Sequence, residues 1–243
     1  MKHFIILSSS YSEGTRIAMD FVLERPEVKS EINDLVKQIT EKCGNDVSLS
    51  THFLETSSKD WESVVFADDF FSGVKLIHTD EEFISLIQKD RKLDSLSVAK
   101  YILSKIKCTH LQLEKLVYLC FADYLCSTGK PLFDDTIYAF EYGPVVKTVY
   151  DEYKKYHRKT ITIEPIESKY EMPLRSRISF AEDGHEKLLS IDKTLKKYGC
   201  YSAPQLVNIT HTVGGPWEIT YDHTPYKIIP SDIIKEYHYL EKV

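Results

Sequence analysis

Apolar positions recur at two periods along the 243-residue chain. The longest helical stripe runs through Leu113, Leu116, Val117, Cys120, Phe121 and Tyr124. Steps of three and four put these residues on one face of a helix. Ahead of the stripe, Thr109 and Gln112 form a Thr-x-x-Gln capping box, which satisfies the first free N–H groups of a helix. Behind it, Gly129 suits the left-handed position past a helix end, and Pro131 prevents continuation. This helix is the expected spine of a C-terminal core. Thr136–Tyr142 then alternates as a short strand. Gly143-Pro144 reads as a sharp turn with Pro at a helix start, opening a helix from Val145 to Tyr156.

Residues 1–93 carry a different pattern, mixed α and β. Phe4–Leu7 is a short buried-strand candidate. The polar turn Ser8–Thr15 follows, then a helix-like run from Thr15 to Leu23. Ile32, Leu35, Val36 and Ile39 fit one helical face ended by Gly44-Asn45. Val47–Leu54 alternates at period two, and Val64-Val65-Phe66 is β-like. Thr79 caps a helix carrying Phe83, Ile84, Leu86 and Ile87, with acids in its first turn. The charged run Gln88–Lys92 marks a break, and the domain boundary is expected there.

From residue 94 on, Leu96, Ala99, Ile102, Leu103 and Ile106 make an amphipathic helix ahead of the spine. Residues 157–183 read as irregular, with β-like pieces around 160–163 and 177–180. A helix from Glu186 to Tyr198 ends at Gly199. Ser202 and Gln205 form a second capping box, with Pro204 in the first turn. Gly214–Trp217 turns into a short helix, and Pro230-Ser231 opens a last one reaching Lys242. The expected class is α+β: a mainly helical C-terminal domain with a small β element, residues 94–243, after a small mixed α/β domain, residues 1–93.

Composition narrows the function. The net charge of −6 argues against a general nucleic-acid binder. The short basic run at Lys154, Lys155, His157, Arg158 and Lys159 reads as a solvated helix end. Phe4–Leu7 is too short for the h-region of a signal peptide, and no apolar run approaches the ~20 residues of a membrane span. The five cysteines lack CxxC spacing, and Cys120 lies within the apolar stripe. Reduced thiols in a cytoplasmic protein are expected.

No catalytic set emerges. The nine histidines are scattered without HxxxH or HExxH pairs, and no His–Cys set has zinc spacing. There is no GxSxG elbow. Asp134-Asp135 reads as an Asx turn and Asp68-Asp69 as a solvated turn. The strand, the Ser8–Thr15 turn and the helix-like run after it could together cradle a phosphate. With one glycine and neither GxxxxGK(S/T) nor GxGxxG, a plain strand-to-helix connection is expected. His211, before Gly214-Gly215-Pro216-Trp217, is the most suggestive position, yet it has no nucleophile or oxyanion device beside it. No cofactor or metal is expected.

One set of motifs does carry a match. Leu113-Glu114-Lys115-Leu116-Val117-Tyr118 resembles the LQKLLY helix of the Panacea domain, or SocA-like antitoxin domain. Gly129-Lys130-Pro131-Leu132-Phe133, Tyr142-Gly143-Pro144-Val145, and Val149-Tyr150 with Tyr153 follow in the same order. Near the end, Leu206, Thr210-His211 and Gly215-Pro216-Trp217 resemble the family's L…TH…GPW segment. The resemblance covers about residues 95–240. Two departures, Glu114 for Gln and Phe140-Glu141 for Trp-Lys, are read as surface changes.

The resemblance implies an antitoxin of a bacterial or phage toxin–antitoxin pair, neutralising a cognate toxin by direct binding. One relative instead delivers its toxin to a Clp protease. DNA-binding autoregulation is a further alternative, set back by the charge. Interface positions expected from aromatic enrichment are Tyr138, Tyr142, Tyr150, Tyr153 and Trp217, with the Gly143-Pro144-Val145 turn. Leu113, Lys115, Leu116, Tyr118, Gly129, Pro131, His211, Gly215 and Pro216 are expected to be structural. Residues 1–93 lie outside the resemblance and are expected to help recognise the toxin.

Overall fold

The computed structural model describes residues 1–162, 174–224 and 226–242. The class is α+β. The chain divides into two compact units: residues 1–92 with 174–182, and residues 93–162 with 183–242.

The first unit is built on a hairpin. Strands β1 (Lys2–Ser10) and β2 (Thr15–Val22) pair antiparallel from His3↔Val22 to Ser10↔Thr15. Strand β3 (Ser50–Glu55) pairs with β1, and β4 (Lys75–Leu76) lies parallel to β2, giving the order β3-β1-β2-β4. Both faces of the hairpin are covered. On one, Ile6, Ile17 and Met19 pack with Leu35 and Ile39 of helix α1 (Val28–Cys43) and Phe83, Ile84 and Ile87 of helix α3 (Asp80–Arg91). On the other, Ile5, Leu7 and Ala18 pack with Val64 of helix α2 (Trp61–Ala67), Phe71 and Val74.

Three runs in this unit depart from the expected pattern. The run Thr15–Leu23 is strand, not helix: apolar residues on both faces erase the period-two signal, and hairpin pairing decides the conformation. Val64-Val65-Phe66 is helix, not strand: Val64 is buried against the sheet and Val65 packs beside it, while Phe66 is 94% exposed. Gln88–Arg91 is helical, the last turn of α3, and the two units divide just after it, at Lys92. That turn is held by Arg177 of helix α7 (Leu174–Ser179), whose guanidinium donates to the carbonyls of Asp90 and Lys92. The β-like piece expected at 177–180 is thus helical through Ser179; the one at 160–163 has a single bridge from Thr160 to Thr109, and residue 163 lies outside the described residues.

The second unit closes around helix α5 (His110–Thr128). Its capping box is formed: Thr109 Oγ1 accepts from Gln112 N, and Gln112 Oε1 accepts from Thr109 N at 3.0 Å. Gly129 takes φ +76°, the left-handed stop. Every residue from Leu113 to Ala122 is buried. Helices α4 (Ser95–Lys105), α8 (Gly184–Tyr198), α9 (Ala203–Thr210) and α11 (Ser231–Tyr237) pack around it. Over Leu113–Ala122 the helix is therefore enclosed on all sides rather than along one stripe.

A three-stranded sheet, order β6-β5-β7, sits against α5. Strand β5 (Ile137–Phe140) pairs antiparallel with β6 (Gly143–Val146) and β7 (Lys227–Ile228). Gly143-Pro144 begins a strand here, which corrects the expected helix start. Helix α6 (Lys147–Tyr153) follows only after Val146. The run Gly143–Val146 is buried throughout, and pairing with β5 holds it extended. Among the described residues, no helix is long and apolar enough to cross a membrane.

Candidate functional site

The start of α5 carries charge into the interior. Lys115 has no exposed surface and Glu114 is 3% exposed. Lys115 Nζ donates to the Pro144 carbonyl at 3.0 Å and lies 3.7 Å from Glu114 Oε2. Glu114 Oε1 contacts His110 Nε2, one helical turn back. Burial pulls the lysine down to about 8, against the opposing pull of Glu114. Glu114 is therefore no surface substitution. It is the counter-ion that makes a buried ammonium tolerable.

The other motif residues converge on this charge. Gly143 adopts φ +106°, and a Cβ there would come within 3.0 Å of Lys115 Cε, Lys115 Nζ and Thr210 Oγ1. Only glycine allows the approach. Helix α10 (Pro216–Thr220) begins at the buried Pro216, and Trp217 Nε1 donates to the Phe140 carbonyl at 2.7 Å. His211 stacks on Trp217 with centroids 3.6 Å apart, and Trp217 stacks on Tyr221 at 4.8 Å. Burial and the charge of Lys115 hold His211 below its usual range, against a hydrogen bond to the Tyr142 backbone. A histidine so placed is a neutral packing ring. Gly129 and Pro131 lie apart, exposed beyond the far end of α5.

The other end of α5 holds a second polar centre. Tyr118 OH donates to Glu241 Oε2 at 2.8 Å. His238 bridges Glu241 at 2.6 Å and Asp123 at 3.0 Å, and Asp123 accepts from Thr194 Oγ1 at 2.8 Å. His238, on the 3-10 turn after α11, is fully buried. Burial opposes its charge, but hydrogen bonds to Asp123 and Glu241 prevail and raise its pKa. This network pins the C-terminal segment to α5.

The outward face of the sheet is aromatic. Along β5, Ile137 and Ala139 are buried while Tyr138 and Phe140 are half-buried. Phe140 lies 5.3 Å from Tyr150 of α6 and 5.5 Å from Tyr226, with near-perpendicular rings, and Tyr138 meets Tyr226 at 6.3 Å. Tyr226 and Ile228 are more than half exposed. The neighbouring charges are paired: Lys147 and Lys154 share Asp151, and Lys227 pairs with Asp222, which leaves one positive charge over.

The expected interface residues thus separate. Tyr138 and Tyr150 belong to the aromatic face, and Tyr142 is 61% exposed on the β5–β6 turn. Gly143, Pro144, Val145, Tyr153 and Trp217 are interior, a correction to their expected outward position. They are drawn inward because β6 packs on α5 and Trp217 bonds beneath the β5–β6 turn. Phe140, Tyr226 and Ile228 escaped sequence reasoning. Alternation in β5 could have placed Phe140 beside Tyr138, but the two-residue β7 leaves no readable pattern. Among the described residues, no group of three His, Cys, Asp or Glu is placed to hold a metal ion.

The C-terminal unit is thus a mainly helical domain with paired charges inside and an aromatic sheet face outside. A family model described as "Antitoxin SocA-like, Panacea domain" matches residues 113–218. Antitoxin SocA of Caulobacter vibrioides is 31% identical over 141 residues, 55% of this chain and 73% of that protein. The chain belongs to this SocA-like, Panacea-domain antitoxin family. No solved structure matches it.

Proposed function

We propose that this chain is the antitoxin of a toxin–antitoxin pair, neutralising its toxin by direct binding in the cytoplasm, without catalysis. The observation that carries the reading is the match to antitoxin SocA across 73% of that protein. The aromatic face of Tyr138, Phe140, Tyr150 and Tyr226, with Tyr142 beside it, supplies the contact surface. Half-exposed aromatic rings with little conformational freedom are favoured at interface centres. The surrounding charges are paired with one another, which limits the desolvation penalty of covering them. Residues 1–92 form the accessory unit.

Co-expression with the protein encoded beside it tests this. Growth rescue and co-purification are expected, and both should be lost in the double variant Phe140→Ala, Tyr226→Ala. No rescue and no complex with the natural chain would overturn the reading. Rescue with a toxin level that falls in a Clp-dependent way would replace occlusion by delivery to that protease.

A further inference from the structure

Strand β3 is an open edge. It pairs with β1 from Leu7↔Ser50 to Lys2↔Glu55, and no described strand pairs with its other side. The N–H and C=O groups of alternate residues along these six therefore stand as a template for another strand. The usual guards are missing. Ser-Thr-His-Phe-Leu-Glu has no proline and no lysine, the pairing to β1 runs without a bulge, and its single charge is the final Glu55.

Both faces of this edge offer apolar contact. Phe53 is 55% exposed on the face that carries α1 and α3. On the other face His52 lies 5.0 Å from the ring of Phe70, itself 45% exposed. An added strand would set alternate side chains against Phe53 above and Phe70 below.

Charge selects the occupant. Residues 1–92 hold 17 of the chain's 37 acidic residues against 11 of its 31 basic ones, so the whole net charge of −6 lies there. Residues 93–243 hold 20 of each. After the edge in sequence, Asp60, Glu62, Asp68 and Asp69 are exposed, and Glu55 at its end is exposed but pairs with Lys2 at 3.5 Å. A second copy would bring the same negative field and be repelled, whereas a basic segment would be attracted.

We infer that β3 is a docking edge that takes an extended, lysine- or arginine-rich segment of the partner protein as an added strand. The inference rests on the antitoxin reading only in naming that partner as the toxin.

The full-length protein is titrated with two labelled seven-residue peptides, one alternating lysine and valine, the other glutamate and valine. Anisotropy should show the lysine peptide binding at least tenfold more tightly. Amide shifts should concentrate at residues 50–55. Phe53→Lys should weaken the lysine peptide at least fivefold without changing the melting temperature. If that variant melts early, Thr51→Lys, exposed on the same face, reads the same contact. Equal binding of both peptides, binding unaffected by Phe53→Lys and Thr51→Lys alike, or shifts elsewhere would overturn the inference. So would concentration-dependent self-association abolished by Phe53→Lys, which assigns the edge to a second copy. Peptide binding without growth rescue would remove the toxin and keep the edge; rescue without peptide binding would do the reverse.

Discussion

The two units solve burial in opposite ways. In the first, a hairpin separates two apolar layers, and its charges stay mostly outside, where they sum to −6 over residues 1–92. Residues 93–243 sum to zero, but in the second unit one helix is buried from Leu113 to Ala122 and takes Glu114, Lys115 and His110 inside with it. A strand has two faces and can keep its polar residues at its ends. There, His3 pairs with Asp20 at 2.9 Å, and Asp90 accepts from Ser10 Oγ, Tyr11 N and Ser12 N. An enclosed helix has no such ends along most of its length. Each polar side chain on it must find a partner or destabilise the fold.

That contrast can be broken experimentally. The chain has two tryptophans, Trp61 in the first unit and Trp217 in the second, so fluorescence can follow each unit. The largest effect is expected from Lys115→Met, which leaves Glu114 buried without its counter-ion. Breaking a buried pair in this way costs about 3–5 kcal/mol. Denaturant unfolding read at Trp217 should shift by that amount while the Trp61 transition stays in place. A Trp61 transition moving equally would mean that the units do not differ in this respect.

Gly143→Ala comes next. The added methyl meets Lys115 and Thr210 at 3.0 Å on a left-handed backbone, and a loss of about 1–3 kcal/mol is expected from the conformation alone. Thr109→Ala removes the cap of α5 and should lower stability by about 1 kcal/mol. Urea midpoints of the two variants, each compared with the natural chain, check both values.

His238 sharpens the comparison through pH. Its folded pKa is raised above the unfolded value, so its stabilisation is complete below about pH 6.5. It is lost as the pH rises through the folded value. Glu241, raised by its burial, acts in the same direction. The His238 contribution to melting read at Trp217 should therefore fall across this window. It is opposed by His211 and Lys115, whose folded pKa values lie below their unfolded ones. His238→Gln should make the slope less negative. A slope unchanged by the substitution would remove His238 as its source. The smallest effect is expected at Tyr142→Ala, an exposed position where stability should change by no more than about 0.5 kcal/mol, while toxin association weakens.

The match between sequence and structure differs between the units for the same physical reason. Where a helix is long and bounded by special chemistry, residues announce it: the Thr109–Gln112 box, the Gly129 stop and the Ser202–Gln205 box are all formed. In the first unit, both faces of β2 are covered, so alternation is hidden and a helix was expected. The Ser8–Thr15 loop is a case of right chemistry with the wrong ligand. Its N–H groups do gather an anion, but that anion is the chain's own Asp90. At the candidate site, Tyr138, Tyr142 and Tyr150 were legible, while Tyr226 and Ile228 were not. They reach the aromatic face through a two-residue strand that pairs more than eighty positions away.

By itself, the sequence determined the α5 spine, its caps and the ordered motifs that mark the family. These depend on neighbours within a turn or two, where backbone geometry and side-chain spacing suffice. Only the tertiary structure decided that Lys115 and Glu114 are interior, that Gly143–Val146 is strand, and which aromatics remain outside. Those outcomes depend on what packs against each residue from distant parts of the chain, and burial is a property of that assembly rather than of any local run.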